Sequence, residues 1–494
     1  MVDETIFSRP VAAAAKLGGL APDHHRFVSK RVLLTGEAST LSIANGRECL
    51  LDALRLLVRI CPNLSIALPP GADSLLAECR TLAAKIAFDD TVVFTRDTPE
   101  FARYDAILSI GTMAYPDLPW TVINADGWLA RVSSGSTNLP MPSGLSNPIS
   151  ALAAACFGVV EVFKRLIRLN ESRGRLFDGL AFSLHSYRCQ ENDRGPALPA
   201  NLPLDLLLVG AGAIGNGIVH LLSQLPTNGR AWIVDAQTFR EENLGTCLLI
   251  GPQELDMPKA VFAEKLLDGR LHVRGFHEEL EAFQQRLGSE RSHPRVVLTG
   301  LDNIDGRHQA QKLWPDLIVD GAIADFPCQV SRHQWGEDSA CLVCLFRHPP
   351  GPPAENVASH ATGLNRSRVQ QPDDAVTEED VRAAPASQQD WLRKRLGRQI
   401  CSVVREGVAQ LISQEEQRKG FSPSVPFVAC MSACMVVAEL VKFTAGWGTS
   451  LETRYQFDML RGPAFGAMVP QEKRRDCECV VRSRNIDTWR QRRV

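Results

Sequence analysis

The 494-residue sequence lacks an excess of either charge: 54 lysines and arginines stand against 56 aspartates and glutamates, a formal net charge of −2. Neutralising a polyanion by bulk electrostatics needs surplus cations, so no nucleic-acid partner of that kind is expected. Long apolar runs are also missing. The two longest strongly apolar stretches, Ile149–Val160 and Phe427–Ala438, are about 12 residues each, whereas a bilayer span takes ~20, so no membrane partner is expected either. The start, Met1-Val-Asp-Glu-Thr-Ile-Phe7, has no basic-then-apolar secretory order. A reducing, cytoplasmic setting follows as the expectation. There the 14 cysteines serve as core filler, metal ligands or nucleophiles rather than as disulfides.

What is present is an ordinary globular composition, 45% hydrophobic and 22% charged, in which strand-like apolar runs alternate with helical stretches. That order predicts an α/β fold with mostly parallel sheets. The runs are Arg31–Gly36, Leu64–Leu68, Thr91–Thr95, Ala106–Gly111 and Thr121–Ala125, then Asp205–Gly210, Ala231–Asp235, Arg295–Gly300 and Leu317–Gly321. Helical pattern separates them, for example at Cys49–Ile60 and Asp73–Ala87. The polar, Gly- and Pro-bearing stretch Glu171–Pro203 reads as a domain junction.

An internal repeat relates the two series. Pro148–Lys164 aligns without gaps on Pro426–Lys442, sharing Pro148/Pro426, Ala151/Ala429, Ala155/Ala433, Cys156/Cys434, Val159/Val437, Glu161/Glu439 and Lys164/Lys442. Proline suits the first turn of a helix, and small residues allow close approach to another backbone. Two related α/β halves are therefore expected, one of them without the chemical motifs described next. The expected domains are 1–197 (the degenerate half), 198–347 and 426–494 (the active half, ending in a solvated basic tail over Arg482–Val494) and a crossover at 348–425. The crossover opens on His348-Pro-Pro-Gly-Pro-Pro353, is polar and acidic around Asp373–Asp380, and is expected to hold a helix near Gln388–Ile412 but no full core of its own.

The strand Leu206–Val209 runs into Gly210-Ala-Gly212-Ala-Ile-Gly215 and then a helix, a turn that brings backbone amides onto phosphate. Asp235 closes the next strand, where a carboxylate meets ribose hydroxyls. This much does not separate a dinucleotide from ATP. Lys259, in Asp256-Met-Pro-Lys-Ala260, and Asp302, at the end of Val296-Val-Leu-Thr-Gly-Leu-Asp-Asn303 with Arg307 beyond, do separate them. A lysine for phosphate oxygens and a carboxylate for magnesium suit phosphate-anhydride chemistry, and a hydride-transfer enzyme needs neither. Cys341-Leu-Val-Cys344 and Cys477-Glu-Cys479 supply four thiolates, enough for a closed tetrahedral zinc site.

Together with Glu242-Asn-Leu244, Pro258-Lys-Ala260 and Asp320-Gly321, these motifs resemble the ThiF/MoeB-like superfamily that includes ubiquitin-activating enzymes. The resemblance implies two Rossmann-like adenylation halves, ribose held by Asp235, phosphates met by Asn243 and Lys259, and magnesium organised by Asp302. It implies ATP, Mg2+ and Zn2+ as cofactors and the four cysteines as zinc ligands, although the family's second pair is Cys-x-x-Cys. The family also continues Asn-Leu-Asn-Arg-Gln where this chain reads Asn243-Leu-Gly-Thr-Cys247, so a phosphate-binding arginine is missing; Arg240, or Arg9 of an N-terminal helix, is the substitute to look for.

The remaining cysteines divide by context. Cys49, Cys61, Cys79, Cys156 and Cys189 lie in the degenerate half, Cys247 and Cys328 read as filler, and Cys434 shares its repeat slot with Cys156. Cys430 lies one turn from Cys434 on the same apolar helix. Cys401 follows Arg393-Lys-Arg-Leu-Gly-Arg398 and precedes Arg405, and positive neighbours stabilise a thiolate. Activating enzymes of the family place their acceptor cysteine in this crossover. The resemblance thus implies an enzyme that adenylates the C-terminus of a ubiquitin-like protein and forms a thioester on Cys401 for transfer to a conjugating enzyme. Such enzymes also occur in bacterial antiviral conjugation operons. The fused halves imply a monomer built as a pseudo-dimer, or a homodimer of it. A sulfur-carrier adenylyltransferase of the thiamine or molybdopterin type and a non-catalytic scaffold are the alternatives.

Overall fold

Two twisted sheets of the same topology carry the computed structural model, which describes residues 4–18, 29–87, 91–95, 99–290, 293–336, 338, 340–348, 354–371, 373–404, 406–407 and 425–492. Strands β1 (Val32–Gly36), β2 (Leu64–Ala67), β3 (Val92–Thr95), β4 (Ala106–Ile110), β5 (Trp120–Asp126), β6 (Leu129–Ser133) and β7 (Leu180–Ser183) form the first, in the order β3-β2-β1-β4-β5-β6-β7. Strands β8 (Leu202–Val209), β9 (Thr227–Val234), β10 (His272–Phe276), β11 (Val296–Thr299), β12 (Leu317–Ile323), β13 (Pro327–Gln334), β14 (Arg454–Asp458) and β15 (Ala467–Val469) form the second, in the order β10-β9-β8-β11-β12-β13-β14-β15. In each, the first five strands are parallel and the later ones antiparallel. Continuous apolar runs such as Leu206–Leu208 and Val296–Leu298 are what strands covered on both faces require.

The repeat seen in the sequence is the seam between the halves. The helices Pro148–Ile167 and Pro426–Thr444 follow β6 and β13, occupy the same place in each topology and pack on each other. Asn147 caps the first, its side chain accepting from the Ile149 amide at 3.0 Å. Ala151, Ala155, Ala429 and Ala433 are fully buried, and small residues are what let two backbones approach. The shared charges become twin buried ion pairs, Lys164 to Glu161 at 2.6 Å and Lys442 to Glu439 at 2.7 Å. Each ammonium also lies over a ring, Phe177 at 3.6 Å and Tyr187 at 4.3 Å. Burial lowers the pKa of both lysines, and the partner carboxylates oppose that shift. Aromatic side chains extend the seam, with Tyr455, Phe182 and Tyr187 in one mutually contacting cluster.

Several expectations are corrected. Glu171–Pro203 is more than a junction, because it contributes β7; four residues are too short for periodicity to reveal. The helix Pro426–Thr444 is 19 residues long and apolar enough to cross a bilayer by length and composition, against the 12 counted in the sequence, yet 89% of its apolar window is buried inside the protein. Its two charges neutralise each other in place, which keeps the apolar surface continuous. The C-terminal stretch is not a solvated tail: Ser483–Gln491 is a helix with Ile486 buried, and Arg490 hydrogen-bonds the Trp314 and Pro315 carbonyls and pairs with Asp316 at 2.7 Å.

The chain divides into one unit of Met1–Phe346 with Pro423–Val494 and a second of Arg347–Ser422. The second has a small core of its own, in which Leu364, Val376, Val381, Leu392, Ile400 and Val403 cluster. Arg368 ties it together by pairing with Asp374 and Asp380, both at 2.8 Å. The single helix expected near Gln388–Ile412 is broken, because Ala386–Arg393 ends in turns and Gly397 takes φ +77°, a value suited to glycine. Residues 408–412 of that expectation lie outside the described residues.

Breaking a buried ion pair by removing one partner costs about 3–5 kcal/mol, whereas replacing both by apolar residues costs far less. Lys164→Met is therefore expected to lower the urea midpoint sharply, and Glu161→Leu with Lys164→Met to recover most of the loss, both read by circular dichroism.

Candidate functional site

Because β8 is flanked by β9 on one side and β11 on the other, the chain reverses direction of travel across the sheet at β8. Side chains just past the carboxyl ends of these three strands face the crevice that such a reversal opens. Gly210 ends β8 at φ +87°, a conformation that glycine adopts without strain. A Cβ at Gly215 would lie 2.1 Å from the Gly210 carbonyl oxygen, so the turn closes only with glycine there, while a Cβ at Gly212 would meet open space. Gly212 stands at the N-terminus of the helix Ala213–Gln224, whose first amides are the donors a phosphate needs.

Asp235 follows β9, and its carboxylate accepts from the Ala211 amide at 2.7 Å and the Gln237 amide at 2.8 Å, which fixes it beside the glycine turn. Lys259 is buried at 5% exposure, its Nζ donating to Gln237 Oε1 at 2.7 Å and its amide to the Gln237 carbonyl at 3.0 Å. Gln237 thus joins Asp235 to Lys259, a link absent from the sequence expectation because one glutamine in a loop carries no pattern. Asn243 lies in the short helix Glu241–Leu244 and its Oδ1 accepts from the Arg240 amide at 2.9 Å. Arg240 itself pairs with Asp256 at 2.9 Å, both side chains being largely exposed, so its guanidinium is engaged by that carboxylate. The helix Glu4–Gly18 packs on Glu241–Leu244, which brings the backbone of Arg9 toward this region; the Arg9 side chain lies outside the described residues.

Asp302 sits on the other side of β8, in the loop after β11, exposed and accepting only from Asn303 Nδ2 at 3.0 Å among the bonds described. Asn303 caps the helix Ile304–Gln311, its Oδ1 accepting from the Gly306 amide at 2.6 Å. Arg307 clamps this loop from beneath. Its guanidinium donates to both oxygens of Asp320, at 3.0 and 3.1 Å, and to the Leu301 and Asn303 carbonyls. Burial raises the Asp320 carboxyl to about 6, while Arg307 and Thr299 Oγ1 (2.6 Å) favour its charged form. Arg307 and Asp320 are supports of Asp302, a role that motif matching alone did not distinguish.

The first half shows why its equivalent turn differs. Glu37 follows Gly36 of β1, and its carboxylate accepts from the amides of Thr112 and Met113, at 2.9 and 2.8 Å, and from Thr112 Oγ1 at 2.9 Å. A fixed anion of the protein therefore lies between the ends of β1 and β4. The corresponding place in the second half, between the ends of β8 and β11, is bounded by glycines and Asp302.

The four cysteines of the expected metal site come together. Their sulfurs all lie within 4.8 Å of one another, with Cys341 to Cys477 and Cys344 to Cys479 each 3.6 Å apart. Zinc bound at about 2.3 Å to each sulfur would hold them ~3.8 Å apart, so the set fits a tetrahedral ion despite the shortened Cys477-Glu-Cys479 spacing. Cys341 and Cys477 each stand at the start of a helical turn, and the Arg474 amide donates to the Cys344 sulfur at 3.3 Å. Hydrogen bonds from Cys341 and Cys479 hold the Cys344 thiol well below the ordinary thiol range, while contacts within the cluster push the Cys341 and Cys479 thiols above it, so the negative charge collects at Cys344. The knuckle also braces the site. The Leu342 amide donates to Gln311 Oε1 at 2.9 Å, His308 Nε2 meets the Phe346 carbonyl at 2.7 Å, and the Phe346 ring lies 4.4 Å from the Arg307 guanidinium.

Within the crossover unit, Cys401 is exposed in the helical stretch 400–404, between the buried Ile400 and Val403. The Ile400 amide donates to the Asp374 carbonyl at 2.9 Å, which anchors the backbone at this point. Its flanking cations are less available than the sequence implied. Arg393 pairs with Asp390 at 2.8 Å, and Arg395 and Arg398 both pair with Glu406. Arg405 lies outside the described residues. Cys430 and Cys434 are fully buried, and burial pushes the Cys434 thiol well up.

Residues 203–479 match the ThiF family. Over 89% of its length the chain is 28% identical to a protein named y4jF, described as uncharacterized, of Sinorhizobium fredii (strain NBRC 101917 / NGR234), covering 86% of that protein. It is 26% identical to the Bacterial E1-like protein BilD of Collimonas sp. (strain OK412), over 80% of each chain. Among solved structures, E. coli MccB with MccA-N7isoASN covers 71% of this chain and 94% of its own at 13% identity and a TM-score of 0.37.

Metal analysis of the purified chain is expected to find about one zinc per molecule. Cys477→Ser is expected to lose it, to lower the thermal midpoint and to speed amide exchange in Ile304–Gln311, the helix that the knuckle braces.

Proposed function

The chain belongs to the ThiF family, and on that premise we propose that it activates the C-terminal carboxylate of a ubiquitin-like protein with MgATP and then takes the acyl group onto Cys401. The observation that carries the first step is the set of groups around the glycine turn. Asp235 and Asp302 follow β9 and β11 on either side of β8, Lys259 is joined to Asp235 through Gln237, Asn243 lies in the segment tied to Asn216, and their chemistry is that of ribose, phosphate and a magnesium ion. In this reading the amides after Gly210, Gly212 and Gly215 bind phosphate oxygens, Asp235 accepts from the ribose hydroxyls, and Asn243 and Lys259 contact the polyphosphate. Lys259 exchanges Gln237 for a phosphate oxygen. Magnesium, when bound, neutralises polyphosphate charge, and Asp302, exposed and held by the Arg307 clamp, is the residue to hold it.

The carboxylate of the modifier attacks the α-phosphate, pyrophosphate leaves, and an acyl-adenylate forms. Cys401, as thiolate, then attacks the acyl carbonyl and displaces AMP, leaving a thioester for a conjugating enzyme. Its exposure in the separate crossover unit suits attack on a large acyl donor. The Bacterial E1-like protein of Collimonas, similar over 80% of this chain, supports a protein substrate. The fused first half would stand in for the second subunit of a dimer, and the zinc would be structural, stapling Cys341–Cys344 to Cys477–Cys479. A cytoplasmic setting and a role in antiviral conjugation belong to the same proposal.

With MgATP and a small ubiquitin-like protein ending in glycine, the purified chain is expected to form a thiol-sensitive adduct, visible by non-reducing electrophoresis and absent in Cys401→Ala. Modifier-dependent ATP–pyrophosphate exchange is expected to persist in Cys401→Ala and to fall about 10²-fold or more in Asp302→Ala. An adduct that survives Cys401→Ala would move the nucleophile elsewhere, and exchange without any adduct would favour a sulfur-carrier adenylyltransferase.

A further inference from the structure

The loop that follows Asn243 is held by an arginine of the other half. Arg59 lies just past the helix Ala44–Leu57 of the first half and is 1% exposed. Its Nε donates to the Cys247 carbonyl at 2.7 Å, its Nη2 to the Ile250 carbonyl at 2.7 Å and its Nη1 to the Arg55 carbonyl at 2.6 Å. Among the described residues no carboxylate pairs with it. Burial lowers its pKa to about 10, so it stays charged at neutral pH. Burying a guanidinium without a counter-charge is costly, and here three backbone carbonyls offset that cost.

Three further contacts define what Arg59 holds. The Cys247 amide donates to the Asn243 carbonyl at 2.8 Å, so the peptide that Arg59 grips by its oxygen at Cys247 begins one hydrogen bond from Asn243. The Leu249 amide donates to Asn216 Oδ1 at 2.7 Å, and Asn216 directly follows Gly215 of the glycine turn. A Cβ on Gly251 would lie 1.9 Å from the Lys85 carbonyl oxygen, so this end of the loop is seated on the first half as well. Residues 243–251 are thus fastened to the glycine turn on one side and to the first half on the other.

We infer that Arg59 is a positioning residue through which the first half sets Asn243 for the polyphosphate. The inference rests on the ATP-binding reading above. It gives the half without nucleotide motifs a defined task, and it places a cation of that half behind the Asn243 loop, in a chain that has no arginine within Asn243-Leu-Gly-Thr-Cys247. The arginine acts on the loop backbone rather than on phosphate.

The test is a double-mutant cycle on the full chain, with MgATP binding measured by calorimetry. Arg59→Met is expected to weaken MgATP about ten-fold, the worth of one charge-assisted hydrogen bond, and Arg59→Lys to retain most of the affinity by keeping one donor. Because Arg59 acts through Asn243, adding Arg59→Met to Asn243→Ala is expected to change affinity by less than about two-fold beyond Asn243→Ala alone. Losses that add, or wild-type affinity in Arg59→Met, overturn the inference; a merely structural arginine gives the first of these. Should Arg59→Met fail to fold, Arg59→Gln carries the same cycle, with zinc content and the unfolding midpoint as checks on the fold. A wild-type chain that binds no MgATP overturns the nucleotide reading itself, and this inference with it, an outcome distinct from additivity.

Discussion

Everything else in the larger unit depends on one buried contact, the packing of Pro148–Ile167 against Pro426–Thr444. Two helices lined with alanine and cysteine approach closely because their side chains are small, and each carries an internal Glu–Lys pair that keeps a charge-neutral apolar surface. An isolated charge at that depth would be prohibitive, so the pairs stand or fall together with the seam. The helix Ala213–Gln224 packs on Pro426–Thr444 in turn, and it begins at the glycine turn. The position of that turn is therefore set by the same contact that joins the halves.

From this seam the two halves have diverged chemically without diverging in topology. In one, the Glu37 carboxylate at the end of β1 accepts from the Thr112 and Met113 amides past β4; in the other, the equivalent place is bounded by glycines and Asp302. The half that keeps its own anion still reaches the candidate site. Arg59 and the backbone at Lys85 hold the loop after Asn243, and His220 of Ala213–Gln224 meets Asp52 of Ala44–Leu57 at 2.8 Å within the interior. The four-cysteine knuckle braces the opposite flank through Gln311, His308 and Phe346. The candidate site thus has two flanks supported by different means, hydrogen bonds from the first half and a four-thiol cluster that joins Cys341 and Cys344 to Cys477 and Cys479.

The legible parts of the sequence were those with strong local signals. Short apolar runs marked nine of the ten parallel strands to within a few residues, since burial on both faces leaves little choice of residue; the edge strand β10, largely open on one face, carries no such run. Strands β6, β7, β14 and β15 carry no legible run because they are three to five residues long, and periodicity needs length. The C-terminal helix was misread as a solvated tail because its arginines look solvent-facing in sequence, whereas Arg490 finds carbonyls and Asp316 only in the fold. Likewise the cations before Cys401 looked like a thiolate-stabilising field, yet Arg395 and Arg398 are drawn to Glu406, which sequence distance did not make a partner.

The sequence alone determined the family, the topology class, the glycine turn, the acidic and basic groups of the site and the four thiols. Each depends on residue identity at fixed spacing, and such spacing survives without knowledge of the fold. Only the tertiary structure decided which of these groups stand beside the glycine turn and which lie beneath it. Arg307 and Asp320 sit in the motif but act beneath it, Gln237 joins Asp235 to Lys259, and Arg59 reaches the Asn243 loop from 184 positions earlier in the sequence. Those relations exist because folding brings distant backbone carbonyls and side chains within hydrogen-bond range, and no local pattern records such proximity.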